Sequence, residues 1–595
     1  MDSRKKPSNA KSKYLNSKRE SSAKDNRVPR NGQRGPPGPS APMPPTQDYY
    51  VPGDYEQVMQ RLPDLIDEAK RRALDIVEPT IHEKRQVMAV IKDFIRERER
   101  RIYGGTAMDM ALKSVDPTAG IYDDTLFADI EFYSPDPVSD LRDLSLLLHD
   151  KNFKYVKARE AQHEETYSIF VNFQGYCDIT YMPTRIYYKV KTIQIDGIYY
   201  VHPHFIFIDQ LRIFSQPLTA ADQRWEKTFN RCFRILKYFP LEMFVNTVNL
   251  SISPEIKDLI PILRQDLLSN PAFYEDVLIT GFMAYNFFVK HAARSVDVEQ
   301  QSRTTYSENN VLNLICDVPY VEVVSVSYAK SAELAYAFLK SVVKDPAKLT
   351  ITELHPFFQF IGRTLIFNYD GRPLLKIFDG EGYCIPKIKT SANYMYVSYQ
   401  YELMFLMIMR FKAFVDEDAQ MYKNYRVIVS NLIDVRNIYL QETGKPVIND
   451  SVFSEFRISC AGITSTPMRQ SQLRGLEKLR HGKAVIYRFE PEAFRKMTPE
   501  AQEKAIEASK KFQFQNSSGN IINPHKQTFL IENGTLVRNS GGVDSDTEAD
   551  SETGKTSGKN RLKKNERASS LPEDSEIDPA LRDDDDLFLA ENAFI

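Results

Sequence analysis

Apolar positions along the chain change period several times, and each change marks an element. Val58, Leu62, Leu65, Ile66 and Ala69, and then Val87, Val90, Ile91 and Phe94 beyond Pro79, recur every three or four residues. That spacing predicts two helices between about 54 and 101. Leu141 to Leu148 predicts another helix. Tyr155–Val156, Tyr167 to Phe173, Tyr176 to Met182 and Ile186 to Ile195 read as strands, and Asp196-Gly197 marks a hairpin turn. Thr219-Ala220-Ala221-Asp222 has capping-box chemistry and opens a helix that Pro240 stops. Helical segments continue to about 290, and 295–310 is polar and reads as a loop.

A second alternation of strands and helices follows. Thr350 to Pro356, Ile361 to Tyr369 and Leu374 to Phe378 read as strands, with turns at Asp370-Gly371 and Asp379-Gly380. Long helices span about 393–416 and 418–442, with Gly444 and Pro446 as the stop. The class is therefore α/β (α+β): a mixed sheet backed by helices, followed by a second α/β domain.

At 595 residues the chain has room for several domains, and 42% hydrophobic with 11% aromatic residues supports sizeable cores. The net charge of -2 hides an asymmetry. Residues 1–45 carry eleven Lys and Arg against three acids, with Tyr14 the one aromatic. The segment from about 540 is acidic and ends in four aspartates, Asp583 to Asp586, before a short apolar stretch. Both ends are expected to be disordered. The divisions read as a basic tail over 1–46, a catalytic domain with helical extension over 47–320, a second domain over 321–538 and an acidic tail over 539–595. The basic tail can hold a polyanion by counterion release, or simply be solvated. The acidic tail reads as a solubilising segment or a docking motif.

No apolar run approaches the roughly 20 residues of a membrane span, and no signal-peptide core opens the chain. A soluble, cytosolic protein with no membrane partner is expected. Cys177, Cys232, Cys316, Cys384 and Cys460 are scattered and odd in number, which predicts reduced core thiols and no structural zinc. His202-Pro203-His204 lacks further ligands within reach and reads as a hairpin-to-helix junction.

The candidate chemistry lies near residue 103. In Phe127 to Tyr133, strand alternation puts Asp129 and Glu131 on one face, roughly 7 Å apart at the backbone. Carboxylates suit Mg²⁺, and a pair of such ions can hold both attacking and leaving oxygens of an in-line displacement. Asp178, in the β-rich run Tyr176 to Met182, is the third carboxylate. Gly104, Gly105 and Thr106 precede a helical run, where backbone N–H groups and the helix dipole attract triphosphate oxygens. Alone, Gly-Gly-Thr is an ordinary turn and Asp-x-Glu a solvated strand edge. The ordered combination is far more specific.

On these residues the chain resembles the nucleotidyltransferase superfamily, whose pattern is Gly-Gly or Gly-Ser, a helix, Asp-x-Asp/Glu, then a distant Asp. From Ile102 to Ala107, Asp129 to Asp136 and Cys177 to Pro183 it is similar to poly(A) polymerase catalytic subunits of large cytoplasmic DNA viruses, the giant amoebal viruses above all. The gap from Gly105 to Asp129 is longer than usual and Glu131 replaces Asp. An insert from Asp116 to Thr125 accounts for the gap, and its acids Asp123 and Asp124 are not assigned to metal.

The resemblance implies template-independent addition of AMP from ATP to an mRNA 3′ end. One Mg²⁺ would be held by Asp129, Glu131 and Asp178 and a second by Asp129 and Glu131, with Mn²⁺ a substitute. It also implies a second domain of related but inactive fold, a degenerate nucleotidyltransferase-like repeat used for RNA handling and homodimer contacts. Further implications are a viral cap-modifying or transcription partner and a place in the host cytoplasm, in viral factories, or in the virion.

Beyond the carboxylates, the amphipathic helix after Thr219 carries Arg224, Lys227, Arg231 and Arg234 on one stripe. Lys227 is the candidate nucleotide contact, and Arg224, Arg231 and Arg234 are candidate RNA contacts, each weighed against a merely solvated face. Arg474 and Lys478, within the basic run Arg469 to Lys483, are further RNA candidates. No second Asp-x-Asp/Glu after a glycine turn is found in the later half. Two other readings remain open: uridylyl or CCA addition, because no residue reads adenine directly, and a catalytically silent RNA-binding processivity subunit.

Overall fold

The computed structural model describes residues 49–539, except 52, 123–128, 245–247, 296–310, 481–486 and 513–516. Both tails, most of the 295–310 loop, Asp123, Asp124 and Lys483 therefore lie outside the described residues. The chain divides into two compact units, Met1–Thr80 and Ile81–Ile595. In the first, Asp54–Ile76 forms the first expected helix and buries none of its residues. In the second, Ile81–Glu97 forms the other helix and buries Val87, Ile91, Phe94 and Ile95, the apolar stripe read from the sequence.

The larger unit is built on two eight-stranded sheets. The first contains β1 (Arg101–Tyr103), β2 (Ile130–Ser134), β3 (Lys157–Glu160), β4 (Thr166–Val171), β5 (Gln174–Tyr181), β6 (Thr192–Ile195) and β7 (Ile198–Val201). Their order is β3-β4-β5-β2-β1-β7-β6, with Arg488–Phe489 extending the β3 edge. The second contains β8 (Val277–Thr280), β9 (Val321–Ser325), β10 (Leu349–Leu354), β11 (Thr364–Tyr369), β12 (Arg372–Asp379), β13 (Ile385–Lys389) and β14 (Met395–Val397). Their order is β10-β11-β12-β9-β8-β14-β13, with Cys460–Ala461 at the β13 edge.

The two orders are the same arrangement built twice. In each sheet the first strand runs antiparallel to the second, β1 to β2 and β8 to β9. The second strand then pairs in parallel with the fifth, β2 with β5 and β9 with β12. The β4–β5 pairing breaks register after Ile169, and the β11–β12 pairing after Phe367. Local contacts repeat as well. The Ser134 hydroxyl donates to Asp140 and accepts from the Asp136 N–H, while Ser325 donates to Ser331 and accepts from the Ser327 N–H.

Most expected elements are present, with informative differences. Ile186 to Ile195 is not one strand: Pro183 precedes a short helix, Thr184–Tyr187, and only Thr192–Ile195 is extended. Proline just ahead of the turn favours a helical start over an edge strand. The basic helix begins at Pro217 rather than at Thr219, since proline at the first position is pre-set for helical φ. His202 accepts from the His204 N–H at the start of the Pro203–Phe214 helix, as the junction reading expects. Cys384 and Cys460 are not free thiols; they form a disulfide across the β13 edge, and Cys177, Cys232 and Cys316 are buried and free. The second sheet begins with β8 at Val277, well before the expected start near 320.

One buried ion pair braces the approach to β1. Asp140, 1% exposed, accepts from Arg100 Nε and Nη2 at 2.5 and 3.0 Å and from the Ser134 hydroxyl at 2.5 Å. Removing Arg100 leaves buried Asp140 only the Ser134 hydroxyl and the more distant Arg98, 3.9 Å away. Arg100→Ala should lower unfolding free energy by about 3 kcal/mol or more in denaturant titration; a loss near zero would show that the pair does not brace this junction.

Candidate active site

The glycine turn, β2 and β5 are fixed against one another by register. Tyr103 pairs with Glu131 across β1 and β2, and Glu131 pairs with Asp178 across β2 and β5. Asp129 immediately precedes β2, two residues before Glu131. The sequence-predicted carboxylates therefore come from neighbouring strands at one level of the sheet.

Gly104 has φ +67°, and a Cβ there would lie 1.8 Å from Glu131 Oε2. Only glycine meets both demands, a left-handed backbone and the approach of a carboxylate. The helix Gly104–Val115 starts at this turn. The Thr106 hydroxyl donates to the Asp129 carbonyl at 3.2 Å, tying the helix start to the entry of β2. A Cβ on Gly105 would meet the Tyr122 hydroxyl at 2.1 Å and Arg231 Nη2 at 3.0 Å. The groups around the helix start are thus two backbone glycines, a tyrosine and an arginine.

The carboxylates resist ionisation in this setting. Burial and the nearby Asp178 charge push Asp129 up to about 6. Burial and Asp178 push Glu131 up to about 7, against the Gly105 backbone N–H and the Arg231 charge. Burial also raises Asp178, whose Oδ1 accepts from the Ser168 hydroxyl at 2.6 Å. Asp129 is exposed and Glu131 and Asp178 are half-buried, so the three sit at an opening to solvent, and like charges held together there call for a cation. The donor set, oxygen only, suits Mg²⁺. Among the described residues no three such side chains stand in ligating geometry together, and Glu131 lies against the glycine turn.

The basic residues divide by position. Arg231 donates to the Tyr122 hydroxyl at 3.0 Å beside Gly105, which places it at the helix start rather than out on a track. Lys227 precedes it on the same helix and is within electrostatic range of Glu131. Burial holds the His163 pKa below its usual value, and the Arg224, Arg212 and Arg474 charges add to it, so all three lie within electrostatic range of the β3–β4 turn. Arg234 is engaged within the fold and donates to the Ala119 and Gly120 carbonyls. Arg474 donates to the Gln162 carbonyl, and Lys478 pairs with Glu160 at 2.9 Å. These last three tie the 116–122 loop and the Pro467–Arg480 helix in place, and of them only Lys478 is paired with a carboxylate.

Sequence reading missed Tyr122 and Ser168. Tyr122 lies in the insert that lengthens the motif, and the signal for it is Asp109, whose Oδ1 accepts from the Ile121 and Tyr122 N–H groups and folds the insert back over the helix start.

Residues 89–220 match the family described as poly(A) polymerase catalytic subunit, and residues 254–532 match the one described as APMV putative poly(A) polymerase, catalytic subunit, C-terminal. A putative poly(A) polymerase catalytic subunit of Acanthamoeba polyphaga mimivirus is 47% identical over 501 residues, spanning 82% of this chain and 85% of the relative. The chain belongs to the poly(A) polymerase catalytic subunit family. A like-named protein of African swine fever virus (strain Badajoz 1971 Vero-adapted) is 27% identical over 39% of the chain. The crystal structure of the Megavirus polyadenylate synthase is similar with a TM-score of 0.76 at 46% identity, over 84% of this chain and 98% of that one. That likeness extends to the two-sheet, mixed α/β architecture. No helix among the described residues is long and apolar enough to cross a membrane.

The raised carboxylates fix a pH response in the metal-free protein. Their folded pKa values exceed those of the unfolded chain, so the folded state holds more protons between about pH 4 and 7 and loses stability as pH rises through that window. Asp129→Asn should raise the metal-free melting temperature near pH 7 and flatten its fall with pH. An unchanged slope would contradict the assigned burial and repulsion.

Proposed function

We propose that this chain is a polynucleotide adenylyltransferase that adds AMP from ATP to mRNA 3′ ends at the glycine turn and the Asp129, Glu131, Asp178 cluster. The observation that carries this is the register that puts Tyr103, Glu131 and Asp178 on three adjacent strands at one level, with Gly104 next to Tyr103 at the helix start. Family membership supplies the nucleotide and the acceptor. The chain would meet its substrates in the host cytoplasm, and a homodimer and viral transcription partners fit the same family reading.

Asp129, Glu131 and Asp178 would hold two Mg²⁺ ions. When bound, these would ease deprotonation of the RNA 3′-hydroxyl and offset charge on the departing pyrophosphate. The chain's own residues do the rest. The N–H groups at Gly104 and Gly105 and the start of the Gly104–Val115 helix face the triphosphate. Arg231, held by Tyr122, and Lys227 bring positive charge to the same end, which favours the triphosphate as its charge shifts toward the leaving group. Ser168 orients the Asp178 carboxylate. Glu131 must leave the glycine turn for phosphate to take its place there, because a carboxylate and a phosphate compete for the same donors. Arg224, beside His163 at the β3–β4 turn, provides charge along which the RNA end can approach.

Primer extension with each of the four nucleoside triphosphates supplied alone should give a tail with ATP only; a tail with UTP, or with CTP and then ATP, would move the assignment to uridylyl or CCA addition. Asp129→Asn, Glu131→Gln and Asp178→Asn should each cut AMP addition by roughly 10³-fold or more while leaving RNA binding near wild type. Retained activity in Asp129→Asn would sink the site.

A further inference from the structure

The segment from Asp116 to Tyr122 is tied down from two sides, and both ties lead to the glycine turn. On one side stands Asp109 of the Gly104–Val115 helix, 6% exposed. One of its oxygens accepts from the Ile121 and Tyr122 N–H groups at 2.7 and 3.0 Å, and the other pairs with Lys113 at 2.8 Å. Lys113 closes the arrangement by donating to the Tyr122 carbonyl at 2.9 Å. A Cβ on Gly120 would run into the Lys113 side chain, so the segment can lie this close to the helix only with glycine there. On the other side the helix Pro217–Tyr238 holds the same segment. Arg234 donates to the Ala119 and Gly120 carbonyls, and the Tyr238 hydroxyl donates to Asp116 at 2.8 Å.

What this strap places is the Tyr122 hydroxyl. It stands over Gly105, where a Cβ would collide with it, and accepts from Arg231 Nη2 at 3.0 Å. A phenol has one proton of its own to give. Among the described residues that proton meets no acceptor. Burial raises the Tyr122 phenol above its ordinary pKa in spite of the Arg231 charge, so it stays a donor at neutral pH. The Gly105 N–H is a further donor at the same point, and Glu131 now accepts from it. Phenol, guanidinium and backbone N–H thus gather around one glycine, with a single carboxylate for all of them. Such a set of donors suits a phosphate oxygen, which accepts several N–H and O–H groups at once.

We propose that Tyr122 is a triphosphate-binding residue, whose hydroxyl donates to a non-bridging phosphate oxygen once Glu131 has moved aside, and that the strap anchored by Asp109 holds it in place for that contact. The inference rests on the reading of the glycine turn as the triphosphate site, and it gives the insert that lengthens the motif a part in binding the nucleotide. Asp109 touches no substrate in this arrangement. It is a positioning residue that acts through Tyr122.

The test compares KM for ATP with KM for the RNA primer in the full chain. Tyr122→Phe keeps the ring and removes only the hydroxyl. It should raise the ATP KM roughly 10-fold, the loss expected for one hydrogen bond to a charged group. The primer KM and the rate at saturating ATP should stay within about twofold of wild type, because the lost contact is one that substrate and transition state share. Inhibition by inorganic pyrophosphate should weaken by the same factor as the ATP KM rises. Asp109→Asn, which leaves Lys113 facing an amide, should move both quantities in the same direction and add little when combined with Tyr122→Phe. An unchanged ATP KM and pyrophosphate inhibition in Tyr122→Phe, or a primer KM that rises as much as that for ATP, would overturn the assignment. Additive effects in the double variant would overturn the positioning role of Asp109. If Asp109→Asn loses its fold, Tyr122→Phe alone decides the contact. Failure of the underlying site reading would show separately, as absence of AMP addition by the wild type.

Discussion

A glutamate pressed against a left-handed glycine organises this molecule. Where a strand must turn at once into a helix beside a neighbouring strand, the backbone adopts positive φ and leaves room for no side chain. Glu131 fills that space at Gly104, and Glu322 fills it at Gly281. The contact fixes the strand order around it: the antiparallel neighbour brings the glutamate to the turn, and the parallel strand beyond it brings Asp178 or Lys376 to the same level. The acidic groups of the cluster come from those two strands, while Arg231 reaches the turn from a helix.

Used twice, the frame shows which parts serve structure and which serve chemistry. Both copies keep the glycine, the glutamate, the serine at the end of the second strand and the broken register between the fourth and fifth. What differs is charge. In the first copy three acidic groups crowd together, with Asp129 held up to about 6 and Glu131 up to about 7 by burial and repulsion. In the second, Lys376 stands beside Glu322 where the first has Asp178. Carboxylates resist ionisation in both sheets, since burial pushes Glu322 up to about 7 against the Lys376 charge, but only the first sheet gathers three acids of the glycine and strand motif.

Much of the first frame was legible in the chain because its signals are local. Gly104-Gly105 before a helical run, Asp129 and Glu131 two apart at the entry of a strand, and Asp196-Gly197 between strands each act through neighbours in sequence. The second frame was hidden for a physical reason. Its marker acids are gone, replaced by Tyr320 and Lys376, and β8 and β9 are buried on both faces, so they show no alternation of polar and apolar residues. The sequence accordingly marks nothing at Val277, where the second sheet has its first strand. Groups that act through tertiary contact were equally silent: Arg231 and Arg234 lie on one helical stripe, yet one reaches the glycine turn and the other holds the loop at Gly120. The Cys384–Cys460 disulfide joins residues whose spacing gave no hint of pairing.

One working site within a duplicated frame is the central claim, and nucleotide stoichiometry tests it most directly. Titration of ATP with Mn²⁺ onto the full chain by calorimetry should give one nucleotide per chain, lost when Asp178→Asn is introduced. Two nucleotides per chain, or one that survives Asp178→Asn, would contradict the account, since binding would then lie outside the Asp129, Glu131 and Asp178 cluster.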